Sequence, residues 1–118
     1  MNIEEYRDYC LAKKGVTEGF PFDETTLVFK VMGKMFALAG VDNFSFVNLK
    51  CDPEKAIELR EEYSGVTGAY HMSKTHWNSI STLGDISDKL IYQWIDDSYD
   101  LIVASLTKKL QAELKLTT

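Results

Sequence analysis

Between Thr25 and Lys50 the apolar residues change their period, and that change limits the fold more than any other feature of the sequence. From Thr25 to Met32, and again from Lys34 to Ala39, the residues are mostly β-branched, aromatic or aliphatic, with Gly33 between the two runs. Such runs read as strands, and a glycine between them supplies the positive φ that a tight hairpin turn requires. Asn43 to Lys50 continues as a third strand, with Phe44, Phe46 and Asn48 on one face and Ser45, Val47 and Leu49 on the other.

Helical spacing brackets this sheet region. Ile3, Tyr6 and Cys10 make an apolar stripe in a helix from Asn2 to about Lys13, which Gly15 stops. Asp52-Pro53-Glu54 starts a second helix. Asp52 can accept a backbone N–H as cap, and Pro53 occupies the first position, where its missing donor costs nothing. Ala56, Leu59, Arg60 and Tyr63 share one face of that helix, and Ser64-Gly65 ends it. A glycine-bracketed loop from Gly65 to Ser73 leads to a strand near Thr75 to Ser81. A final helix is capped by Ser87, with Ile86 placed to pack on Ile91 as a staple, and its apolar face is Ile91, Trp94, Ile95, Ser98 and Ile102. A break near Thr107 opens a short last helix through Leu114.

The order helix, about three strands, helix, one or two strands, helix predicts an α+β fold. In it helices cover one face of an antiparallel sheet, as a two-layer sandwich over a single domain of residues 1–118. The other face is then open, and it is where function is expected.

Charge narrows the function. Eighteen acidic against thirteen basic residues leave −5, the wrong sign for a chain held to nucleic acid by bulk attraction. No apolar run approaches the ~18 residues of a membrane span, and Met1-Asn2-Ile3-Glu4-Glu5 has neither the basic start nor the apolar stretch of a signal peptide. Two cysteines, Cys10 and Cys51, cannot frame a disulfide scaffold. They are expected to be unlinked thiols in a reduced, cytoplasmic setting.

No catalytic motif is present. Cys10 lies on a buried stripe, and Asp52 beside Cys51 raises a thiol pKa rather than lowering it. Ser98, inside a helix, is packed or bonded back to its own helix. His71 and His76, five residues apart, do not converge on a helix or a strand, and no metal or cofactor is expected. The local charge is more informative. Lys30, Lys34 and Lys50 stand in the sheet region against one acid, Asp42. The segment from Tyr70 to Asn78 adds His71, Lys74, His76, Trp77 and Asn78 with no acid at all. Lysines among aromatics suit a phosphate backbone or another anion. The same lysines also serve to keep a sheet edge soluble, and Trp77 at a loop-to-strand junction serves as a packing anchor.

Several stretches together resemble the MmcQ/YjbR family. They are Gly15-Val16-Thr17-Glu18-Gly19-Phe20-Pro21-Phe22, the run from Val28 to Leu38, Asn48-Leu49-Lys50-Cys51-Asp52-Pro53-Glu54, Tyr70-His71-Met72-Ser73-Lys74-Thr75-His76-Trp77-Asn78, and Ser98-Tyr99-Asp100-Leu101-Ile102-Val103. The likeness covers nearly the whole chain. It departs where the family commonly has proline before Gly15, here Lys14, and Leu-Pro at what is here Leu106-Thr107. The resemblance implies a two-layer domain akin to the frataxin-like and secretion-chaperone-like "double wing" folds. It also implies a non-enzymatic role as a DNA-binding protein, a label that rests on fold analogy. The candidate ligand-binding residues are therefore Lys30, Lys34, Lys50, His71, Lys74, His76, Trp77 and Asn78. The partner is DNA, bound weakly, or alternatively a small anion or a protein segment on the same face; no membrane is involved, and the chain is a monomer or a weak homodimer.

Overall fold

The computed structural model describes residues 1–69 and 72–117. Its elements run α1 (Ile3–Leu11), β1 (Val16–Gly19), β2 (Thr26–Val31), β3 (Lys34–Gly40), β4 (Phe46–Lys50), α2 (Pro53–Glu62), β5 (Val66–Gly68), β6 (Trp77–Ser81), α3 (Asp88–Ser105) and α4 (Lys108–Leu116). All six strands form one antiparallel sheet in the order β1-β2-β3-β4-β6-β5. The fold is α+β, as the sequence predicts.

Helix starts follow their local chemistry. Asn2 and Glu5 form a reciprocal capping box on α1, the Glu5 N–H donating to Asn2 Oδ1 at 2.8 Å and the Asn2 N–H to Glu5 Oε1 at 3.1 Å. Asp52, Ser87 and Thr107 cap α2, α3 and α4 in one direction only, each side chain accepting one backbone N–H, from Lys55, Leu90 and Leu110, with Pro53 in the first turn of α2. The β2–β3 hairpin turns through Met32 and Gly33 with φ of 49° and 86°. Positive φ at both central residues is the geometry that matches strand twist, and Gly33 adopts it without a Cβ penalty.

Two strands lie where the sequence suggests loops. β1, between Gly15 and Thr25, is a four-residue edge strand held by pairing with β2. β5 falls inside the expected Gly65–Ser73 loop and pairs with β6. β4 starts at Phe46 rather than Asn43, so strand alternation does not reach Phe44. Its ring sits 5.5 Å from that of Tyr6 in α1, on the helix side.

Leu27, Phe29 and Val31 of β2, Ala37 and Ala39 of β3, Val47 and Leu49 of β4, and Val66 and Ile80 of β5 and β6 share one face. They form a single apolar core with Tyr6 and Cys10 of α1, Leu59 of α2, Ile91, Trp94, Ile95 and Ile102 of α3 and Leu114 of α4. The second face is open only in part, where the sequence predicts it open throughout: its middle is covered, while Thr17, Phe46 and Thr67 on it are exposed. A row runs across all six strands there through Gly19, Val28, Leu38, Asn48, Ser79 and Thr67. Val28, Leu38 and Asn48 in its middle are buried, and so is the nearby Trp77. Part of the cover is the turn after residue 71, where Met72 Sδ lies 3.7 Å from Asn48 Nδ2. Among the described residues no helix is long and apolar enough to cross a membrane.

Candidate functional site

The side chains singled out by sequence divide between the two faces. Register places Lys30, Met35, Lys50 and Trp77 along one row of the second face, with Lys30 and Lys50 two strands, or about 10 Å, apart. Lys34 pairs with Val31 and therefore points to the helix side. Lys74 and His76 are exposed on the turn that precedes β6. His71 lies outside the described residues.

Trp77 and Asn78 are structural. Trp77 is 8% exposed and Asn78 1%. Asn78 faces the helices, where its Oδ1 accepts from Arg60 Nε at 2.7 Å and its Nδ2 donates to the Ala56 carbonyl at 3.3 Å. Arg60 also donates to the Lys74 carbonyl, so α2, β6 and the preceding turn are tied at one point. Neither the indole nor the amide is free to stack on or read a base. Two lysines of the expected set remain on the second face, Lys30 and Lys50; the stem of Lys74 packs against Gly68, the partner of Asn78, on the helix side.

A different site emerges on the helix side. α2 and α3 run antiparallel above β4 and β6 and leave a cleft of about 420 Å³ between them. Leu49 and Ile80 form its floor; Leu59 and Trp94 line one part, and Leu101 and Ala104 line another. Tyr63, the residue that follows α2, meets Trp94 of α3 edge-on, ring centroids 5.4 Å apart. Cys51, Asp52 and Lys55 at the start of α2 and Asp97 and Asp100 of α3 supply the polar part of the lining.

Sequence reasoning missed this site because helix separation is a tertiary property. A signal exists nonetheless. Asp97, Leu101 and Ala104 fall at four-and-three spacing, a second stripe beside the main apolar face of α3, and Leu101 stays 36% exposed although apolar.

Cys51 is half-buried; burial pushes its thiol pKa up, and Asp52 adds to the rise. Burial pushes Cys10 up to about 12. Both sulfurs are free cysteines, and neither is primed as a thiolate nucleophile. Ser98 does not bond back to its own helix. Its Oγ donates to the Phe36 carbonyl at 2.5 Å and accepts the Lys50 N–H at 2.9 Å, bridging β3 and β4 one step past their last paired residues, Ala37 and Leu49. Among the described residues no group of three or more His, Cys, Asp or Glu side chains is arranged to hold a metal ion.

Comparison with known proteins places these features in a family context. The YjbR family model matches residues 11–101. The uncharacterised protein YjbR of Escherichia coli strain K12 is 34% identical over 110 residues, covering 92% of this chain and 93% of its own length. The uncharacterised protein YbdF of Escherichia coli O157:H7 is 36% identical over 97 residues, covering 81% of this chain and 80% of its own. The crystal structure of the Deinococcus radiodurans protein DR2400, with domain DUF419, superposes with a TM-score of 0.89 at 32% identity, covering 97% of this chain and 88% of that one. A Pseudomonas syringae protein gives 0.71 at 28% identity, covering 86% and 98%.

Proposed function

The chain belongs to the YjbR family, and from that premise we propose that it is a non-enzymatic binding domain whose ligand is a small molecule with an apolar body, seated between α2 and α3. The observation that carries this reading is the cleft itself. Its volume of about 420 Å³ falls in the range of small-molecule sites, its floor and much of its wall are apolar, and a few polar side chains share the lining. The two thiols, one of them lining the cleft, suit a reducing compartment, which favours the cytoplasm. DNA binding is the second reading. It is favoured by the Lys30–Lys50 row and weakened by the burial of Trp77 and Asn78 and by the −5 charge.

The neutral dye N-phenyl-1-naphthylamine tests the first reading. Its fluorescence should rise saturably, with one site per chain. The rise should vanish in Ala104→Phe, which fills the cleft from an exposed position of α3, and persist in Lys30→Ala/Lys50→Ala. Dye binding that ignores Ala104→Phe, or none at all, overturns the cleft reading. Anisotropy with a short DNA duplex is run alongside. Micromolar or tighter binding at ~0.15 M salt that is lost in the double lysine variant installs the second reading in its place.

A further inference from the structure

Resting on the cleft reading, we infer that the ligand is an organic cation, an apolar body ending in an ammonium or amidinium group, and not the anion that the surface lysines suggest. The argument begins with how charge is distributed. α2 with its cap Asp52, together with α3, carries nine acidic side chains against three basic ones, Lys55, Arg60 and Lys89. That leaves −6 on two helices, in a chain whose total is −5. The rest of the molecule is close to neutral, and the field of the protein is concentrated on the helices that form the cleft.

At the cleft the same sign prevails. Asp52, Asp97 and Asp100 line it against Lys55. The fifth charged lining residue, Lys50, occupies the row of the second face, and it is its backbone N–H that bonds Ser98 on the cleft side. Arg60 is engaged by Asn78 and the Lys74 carbonyl. Asp97 accepts one bond, from Gln93 Nε2 at 3.0 Å, and neither Asp97 nor Asp100 has a basic side chain within salt-bridge distance among the described residues. The contrast with Asp96, one residue away, is informative: it is bonded by Lys13 and by Tyr9 Oη at 2.8 Å. Two exposed carboxylates four and one residues before Leu101 thus stand at the margin of an apolar slot whose inner wall includes Trp94. Apolar inside and anionic at the margin is the pattern that recognises an amphipathic cation, and electrostatic steering draws such a ligand toward the acidic helices.

Three probes of one shape and different charge separate the alternatives: 2-phenylethylamine, L-phenylalanine and 3-phenylpropionate, each used to displace N-phenyl-1-naphthylamine. The amine should displace best and the carboxylate worst. Since exposed ion pairs contribute up to about fivefold each, their half-maximal concentrations should differ by about five- to twentyfold at low salt, with a smaller gap at 0.5 M salt. In Asp97→Asn/Asp100→Asn the amine should weaken by about fivefold or more while dye binding stays unchanged. Both positions are exposed, so the variant keeps the fold, which its thermal midpoint verifies. A carboxylate that displaces as well as the amine, or an amine preference that survives in the double variant, overturns the cationic assignment and leaves the cleft reading intact. Absence of dye binding to the native protein removes both.

Discussion

Replacing Ser98 by alanine tests how the sheet is joined to α3. The hydroxyl is wholly buried and holds two backbone groups that the β3–β4 ladder does not pair, the Phe36 carbonyl at 2.5 Å and the Lys50 N–H at 2.9 Å. Ser98→Ala removes one small oxygen, leaves little cavity and strands both groups. A buried polar group deprived of its partner costs about 1–3 kcal/mol. Lys50 borders the cleft, where water can reach its N–H, so that loss lies near 1 kcal/mol. Phe36 is wholly buried, and its carbonyl should cost about 2 kcal/mol. The expected total, about 3 kcal/mol, lowers the thermal midpoint of a domain this size by roughly 10 °C. Urea denaturation should show a lower midpoint with an unchanged slope, and native-state amide exchange should speed up at Lys50. Ser98→Cys, which keeps a weak donor and acceptor, should fall between the two. A loss below about 0.5 kcal/mol, the range of inert surface changes, would refute the bridging role.

Two further outcomes follow from burial. A disulfide reagent should modify Cys51 slowly in the native protein and leave Cys10 untouched, because Cys10 is wholly buried and its thiol is pushed up to about 12, whereas the denatured, unreduced chain should show two thiols; two fast native thiols, or none on denaturation, contradict this. Stability should decline as pH rises from about 9 to 12. Burial raises Tyr6 well above 10.0, and burial with the Asp96 hydrogen bond raises Tyr9 to about 12. Over this range the unfolded chain releases protons that the folded one keeps, so folding is increasingly disfavoured. The urea midpoint measured across that range checks this, and a flat profile would be inconsistent with it; Tyr6→Phe should make the decline shallower.

Where local chemistry decides structure, the sequence is legible. Asn2, Asp52 and Ser87 announce their helices because a capping side chain acts within three residues, and Gly33 announces the hairpin because few residues tolerate its φ. β1 and β5 are not legible. Val16-Thr17-Glu18-Gly19 and Val66-Thr67-Gly68 are too short to display an alternation and become strands only because β2 and β6 offer free edges. The second face defeats the same kind of reasoning. Phe46, 41% exposed, and Asn48, 5% exposed, alternate like residues of one solvent face, yet Asn48 is covered by chain that arrives from 24 positions later. For the site, residue types were visible but their directions were not. Lys34 and Lys30 separate across the sheet through the register shift after Phe29, and Asn78 turns inward to hold Arg60. The cleft is hardest to foresee, since it is space between two helices whose inner faces look like ordinary core.

The clamp at Asn78 bears on how fast a ligand comes and goes. α2 is held by Asn78, which donates to the Ala56 carbonyl and accepts from Arg60 in the last turn, just past its end by Tyr63 against Trp94, and at its start by the two residues that join it to β4. A helix pinned at three places has little freedom to swing, so the cleft stands ready-made before any ligand arrives. Association then requires no opening step and should proceed near the rate at which small molecules diffuse to an open mouth. Little ordering entropy is left to be lost on binding, and differences among ligands should be expressed as residence times, set by how well the apolar body fills the space beside Leu59 and Trp94.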